Sequence, residues 1–188
     1  MIEVFTLRII GGILLASAFL IIYVVNFRSD GSSEGFETMS KIQVATSIEV
    51  MGTIAAIVVP LVAITLLVFL PSTVYGTLLN FYFPGDTFVQ LAGIFLYAIG
   101  GGLLIWSSRH LGKFDTSTIA IAQDYDLVDT GPYARVRHPG YTATFLLAFA
   151  VLLILLNYLF IVNLFVVAAY HNFKARLGET PSFIRRIR

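Results

Sequence analysis

The stretch 142-TATFLLAFAVLLILLNYLFIVNLFVVAAY-170 decides the fold. It holds no charged residue, and its apolar run is broken by Asn157-Tyr158 and by Asn163. As one α-helix it would reach about 43 Å, well past the roughly 30 Å of bilayer hydrocarbon. As two helices of about 14 residues each, it would fall a little short of that thickness. Length leaves both readings open, and charge chooses between them. If the chain turns back at Asn157, the 28–43 loop, the 109–141 loop and the C-terminal tail share one face. That face then holds eleven of the twelve Lys and Arg residues, all but Arg8, while the 71–87 loop holds none. Cytoplasmic loops of membrane proteins carry such an excess. One long helix would instead send Lys174, Arg176, Arg185, Arg186 and Arg188 to the far side. The reading is an all-α polytopic membrane protein with five transmembrane helices, the last two forming a helical hairpin, and the N-terminus outside.

Composition agrees. The chain has 188 residues, 57% hydrophobic and 12% charged, with a mean hydropathy of +0.86. Soluble domains carry about twice that charge, so a disordered chain, a fibre and an ordinary cytosolic enzyme are excluded. Residues 1–188 form a single integral membrane domain. Cysteine is absent, which removes disulfides, thiolate metal sites and thiol nucleophiles. The first span is Ile9 to Phe27, longer than a signal-peptide core and without a small-residue cleavage site before Arg28. The second runs from Val44 to Leu70, with Pro60 as a kink. Pro71 to Thr87 is a loop whose Tyr75 to Phe83 stretch suits the membrane interface. The third span is Phe88 to Ser108, where Gly93 and Gly100-Gly101-Gly102 permit close helix packing.

After Arg109 the composition changes. Residues 109–141 hold eight of the 23 charged residues in under a fifth of the chain. This cytosolic loop leads into the fourth helix and ends in Leu127-Val128-Asp129-Thr130-Gly131-Pro132-Tyr133-Ala134-Arg135-Val136-Arg137-His138-Pro139-Gly140-Tyr141. Gly131-Pro132 reads as a tight turn. His138 precedes a proline and is biased away from the helical region, whereas Pro139 suits a first helical position. The fourth helix therefore starts at Pro139, with first-turn N–H groups that attract anions. Arg135, Arg137 and His138 add positive charge and donors there, and Tyr133 and Tyr141 add flat rings with polar tips. A small anionic or zwitterionic ligand at the membrane surface is the expectation. A basic loop touching lipid phosphates is the plainer account, and for Arg135 alone it is the better one.

Gly131-Pro132-Tyr133 followed by Arg137-His138-Pro139 and Tyr141 resembles the signature of the isoprenylcysteine carboxyl methyltransferase family. That family stands with phospholipid methyltransferases in a wider group of membrane enzymes using S-adenosylmethionine. Leu127-Val128 and Leu111-Gly112 match as well, and the likeness covers about residues 88–171. The resemblance implies a cofactor site on the cytosolic side made by Tyr125, Leu127, Val128, Gly131, Tyr133, Arg137, His138, Pro139 and Tyr141. His138 would hydrogen-bond the cofactor, and Arg137 would pair with a carboxylate. The family often has His where this chain has Tyr125. Its last helix ends in Arg-x-x-Glu-Glu and a longer amphipathic tail, where this chain has Arg176-Leu177-Gly178-Glu179-Thr180. Counted without gaps from Asn157, Glu179 meets the first glutamate of that pair and joins Arg137 as a catalytic candidate. In another register, Gly178-Glu179 meets a later Gly-Glu element and Tyr170-His171 stands where the glutamates belong.

The expected activity is methyl transfer from S-adenosylmethionine to a lipophilic small molecule or prenylated peptide reached from the lipid bilayer. An in-line displacement needs alignment more than acid–base machinery. A carboxylate or thiolate acceptor needs no base, and for an amine acceptor no base is evident. Two alternatives remain: an NADPH-dependent membrane reductase of the sterol-reductase type, which has a similar Arg-His-Pro-x-Tyr element, and a non-catalytic protein keeping the fold. Other residues read as structural. Glu49 sits near the cytosolic surface of its span and is able to snorkel. His110, His138 and His171 fit no local metal spacing, so no metal site is expected. Asn157 and Asn163 suit the hairpin turn and an interhelical hydrogen bond. Asp124, Asp126 and Asp129 are able to contact ribose hydroxyls, and a solvated acidic loop is the plainer account. No nucleic-acid patch is present, and the sequence is silent on oligomeric state.

Overall fold

A computed structural model describes residues 3–29, 51–52, 54–74, 77–111 and 129–178. Among them there is no β-strand, and five apolar helices account for most of the chain: α1 (Val4–Ser29), α2 (Val59–Phe69), α3 (Asp86–Leu111), α4 (Pro139–Leu155) and α5 (Tyr158–Gly178). Phe5–Tyr23, Asp86–Leu111 and Tyr158–Arg176 are long and apolar enough to cross a membrane, while Ile54–Phe69 and Pro139–Leu155 are shorter apolar helices. Large side chains point outward along them, including Phe5, Phe88, Phe95 and Phe165, each at least two-thirds exposed. In water such a surface would be an aggregation hazard, but in hydrocarbon it costs nothing. Composition and surface thus define an integral membrane protein.

The helix boundaries refine the sequence reading. The helix holding the first span extends past Ile9–Phe27 at both ends. Asp86, not Phe88, opens α3, because the carboxylate suits the positive end of a helix and Gly85, at φ +91°, turns the chain just before it. The proline of the second span sits against a π-helical turn, Ile54–Val58, and falls in the first turn of α2. Proline lacks the N–H that the preceding turn would need, and a wider π turn absorbs that loss.

Close approach organises the centre. The most extensive helix interface is between α3 and α4. A Cβ on Gly93 would lie 2.9 Å from Leu153 Cβ and 3.0 Å from the Ala150 carbonyl, and one on Gly100 would lie 3.1 Å from Leu147 Cγ. Seven residues apart, both sit on the same face of α3. The expected small-residue packing is present at these positions, whereas Gly102 meets open space. Gln90, fully buried, donates from Nε2 to the Ile154 carbonyl at 2.8 Å. The Tyr97 hydroxyl donates to the Leu14 carbonyl at 3.1 Å, tying α1 to α3.

The chain reverses at Leu156-Asn157. Leu156 takes the left-handed conformation at φ 47°, and Asn157 accepts the Leu159 N–H on Oδ1 at 3.0 Å. The 71–87 loop clamps this turn. Asn80 Nδ2 donates to the Leu155 carbonyl at 2.9 Å, and Asn157 Nδ2 donates to the Val74 carbonyl at 3.2 Å. Backbone bonds from Phe81 to Leu156 and from Tyr158 to Leu79 close the pairing on both sides. Asn157 therefore makes the turn, as expected. Asn163 makes no interhelical bond: its Nδ2 is buried with no partner among the described residues. Arg8, the cation that the charge pattern set apart, donates from Nε to the Val68 carbonyl at this same end of the bundle.

Candidate functional site at the motif end

The motif lies at the opposite end of the bundle from that clamp. Gly131–Ala134 forms a 3-10 turn, held by bonds from the Tyr133 N–H to the Thr130 carbonyl at 3.2 Å and from the Val136 N–H to the Pro132 carbonyl at 3.0 Å. Gly131 adopts φ +60°, where L side chains are strained, and a Cβ there would collide with the His110 ring. His110, in the last turn of α3, meets Trp106 edge-on with ring centroids 6.1 Å apart. The glycine thus lets the turn dock on the end of α3.

Pro139 opens α4 as expected and is fully buried, with His138 as the residue before the helix. The non-helical backbone of His138, at φ −130° and ψ 68°, accords with the proline after it, which disfavours the helical region. The Thr142 N–H makes the first intrahelical bond, to the His138 carbonyl at 3.0 Å. The helix itself supplies no acceptor to the N–H groups before that point. Arg135, Arg137 and His138 are exposed, while Tyr133 and Tyr141 are half-buried.

Rings tie this segment to α5. His138 stacks on Tyr141 with centroids 5.2 Å apart and planes 19° apart. Tyr141 stacks in turn on His171 at 4.8 Å and 20°. His171 then meets Tyr170 at 5.1 Å and 47°. Lys174 Nζ donates to the Tyr170 hydroxyl at 3.4 Å, and Gly52 lies so close to the Tyr170 ring that a Cβ would overlap it. The motif end is therefore a continuous ladder of four rings, cationic at its open end and backed by the segment before α2.

Gly131, Tyr133, Arg137, His138, Pro139 and Tyr141 all lie within one eleven-residue stretch here, and the ladder joins His138 and Tyr141 to α5. Tyr125, Leu127, Val128 and Glu179 lie outside the described residues, as does Glu49. His171 is the residue that the sequence reading set near the site in only one of two registers and did not choose as a candidate. A signal existed: in a chain that reverses at Asn157, positions 141 and 171 stand at nearly equal distances from the turn. A separate apolar groove of about 330 Å³, lined by Val59, Val62, Val74, Leu79, Asn157 and Phe160, lies at the clamp end. Its few polar groups suit a hydrocarbon chain better than a charged cofactor.

The class defined so far is an all-helical integral membrane protein with an aromatic, cationic site where a loop enters a helix. Residues 92–182, from within α3 through α5, match the model of the isoprenylcysteine carboxyl methyltransferase (ICMT) family. The matched segment holds the whole motif and the ring ladder. Members of the family are methyltransferases that generally use S-adenosylmethionine. Comparison with the curated proteins gives no match.

Proposed function

We propose that the chain is a membrane methyltransferase moving a methyl group from S-adenosylmethionine to a lipophilic acceptor, most like the carboxylate of a prenylated cysteine. The observation that carries this reading is the match to the family over the segment that builds the ring ladder. S-adenosylmethionine supplies an electrophilic methyl group on a positively charged sulfur. The residues suit that ligand: rings at His138, Tyr141 and His171 for a flat base, and the Arg137 guanidinium for a carboxylate. Gly131 and Tyr133 shape the turn beside them, and Tyr125, Leu127 and Val128 would complete the cofactor side. Glu179 would act with Arg137 at the reacting centre.

The chemistry needs little from the chain beyond alignment. The carbon–sulfur bond breaks as the acceptor oxygen bonds the methyl carbon, and the electron pair stays on sulfur. A carboxylate acceptor has no proton to lose. Two opposite charges vanish in the transition state, so a water-poor setting at the membrane edge favours the step. In this account the chain crosses the bilayer five times, with α2 as the end of the second span, α4 and α5 as the terminal hairpin, and the motif loop and C-terminus facing the cytosol.

The test is transfer of labelled methyl from S-adenosylmethionine to an N-acetylated prenylcysteine by the purified protein in lipid vesicles. The expected product is a methyl ester, which releases volatile methanol in alkali. Label that stays bound in alkali would contradict a carboxylate acceptor, and absence of transfer to any lipophilic acid would contradict the activity. Substituting His138→Ala should weaken S-adenosylhomocysteine binding about tenfold, by ~1.4 kcal/mol. Unchanged affinity would remove His138 from the site.

A further inference from the structure

His171 stands 30 residues beyond Tyr141 in the chain, outside the motif. Its ring fills the slot between Tyr141 and Tyr170. Both of its nitrogens are buried, and neither has a hydrogen-bond partner among the described residues. A neutral imidazole carries one donor and one acceptor, and buried polar atoms in native proteins are nearly always satisfied by protein, water or ligand. Packing alone does not call for histidine here, because a phenyl ring would fill the same slot without stranding two polar atoms. The slot is also placed for a ligand, since one ring, Tyr141, separates it from His138 of the motif.

The kind of ligand group follows from the donor set. A carboxylate calls for donors alone and an ammonium for acceptors alone, whereas an imidazole offers one of each. Its complement is a group that also presents both, such as an aminopurine edge or a ribose hydroxyl. The stacked rings of Tyr141 and His138 beside it suit a base rather than an amino-acid tail. We propose that His171 is a further ligand-binding residue of the motif site, hydrogen-bonding the adenosine half of S-adenosylmethionine beside His138 and Tyr141. This rests on the methyltransferase reading above, and it gives a role to a residue outside the motif, one that the sequence reading set near the site in only one of two registers.

The experiment is calorimetric titration of the detergent-solubilised full chain with S-adenosylhomocysteine and with 5′-methylthioadenosine, which lacks the amino-acid tail. His171→Phe keeps the ring stack and removes both nitrogens. It is expected to bind each compound about tenfold more weakly, ~1.4 kcal/mol, with thermal stability of the unliganded protein equal to wild type or higher. His171→Gln keeps a donor and an acceptor, and it is expected to bind within threefold of wild type. Affinity of the Phe variant within twofold of wild type would overturn the proposal. So would a lower melting temperature with unchanged affinity, which would make the histidine a folding residue. Loss of S-adenosylhomocysteine binding without loss of 5′-methylthioadenosine binding would overturn the assignment to the adenosine half. If the wild-type chain binds neither compound, the methyltransferase reading itself falls, a result distinct from a loss confined to the His171 variants.

Discussion

Replacing Gly131 with alanine should damage the motif turn through two separable effects. Gly131 sits at φ +60°, and a non-glycine residue in that left-handed region costs roughly 1–2 kcal/mol. The added Cβ would also strike the His110 ring. That ring is exposed and terminal on α3, so it can swing aside, at the cost of its edge contact with Trp106, about 0.5–1 kcal/mol. The two together give about 1.5–3 kcal/mol for Gly131→Ala. In the double variant Gly131→Ala, His110→Ala the collision is gone and the backbone strain stays. That variant should therefore show only 1–2 kcal/mol beyond the effect of His110→Ala alone. The assay is denaturation in mixed micelles, read with amide exchange at Tyr133 and Val136, whose N–H groups hold the turn. Gly131→Ala should speed exchange at both amides. A variant within 0.5 kcal/mol of wild type, with unchanged exchange, would refute the claim that the turn depends on a glycine docked against His110.

Other consequences lie at the far end of the bundle and across the membrane. Asn80→Ala removes the donors to the Leu155 and Leu156 carbonyls and should destabilise the chain by about 1–3 kcal/mol. The same denaturation assay checks it, and a neutral effect would mean that the loop does not clamp the turn. The chain has no cysteine, so single cysteines report sidedness without background. Cysteine at Leu78, fully exposed in the 71–87 loop, and cysteine at Arg135 should label from opposite sides of sealed vesicles. Labelling of both from one side would contradict the five-span topology.

Much of this architecture was legible from residue types. The break at Asn157 followed from the placement of Lys and Arg on one face, and Pro139 opens α4 because proline is well tolerated at a first helical position. The glycines of α3 announced close packing, and Gly93 and Gly100 bear it out. Which way each glycine faces was not legible, since three in a row point in three directions around a helix. The π turn ahead of Pro60 left no mark in composition. The site was half legible. The motif showed itself because turn, charge and rings stand together in eleven residues. His171 surfaced only in one of two registers of the last helix, because its partners are assembled by the chain reversal and not by local spacing. Asn163 looked like an interhelical donor and makes no such bond among the described residues, for a polar type in an apolar run does not reveal whether a partner faces it.

The central claim is that the motif end binds S-adenosylmethionine, and the direct measurement is titration of S-adenosylhomocysteine into the purified wild-type chain by calorimetry. The account predicts saturable heat with one site per chain, weakened about tenfold, ~1.4 kcal/mol, by His138→Ala. No binding heat from the folded wild-type protein, or equal binding by that variant, would contradict it.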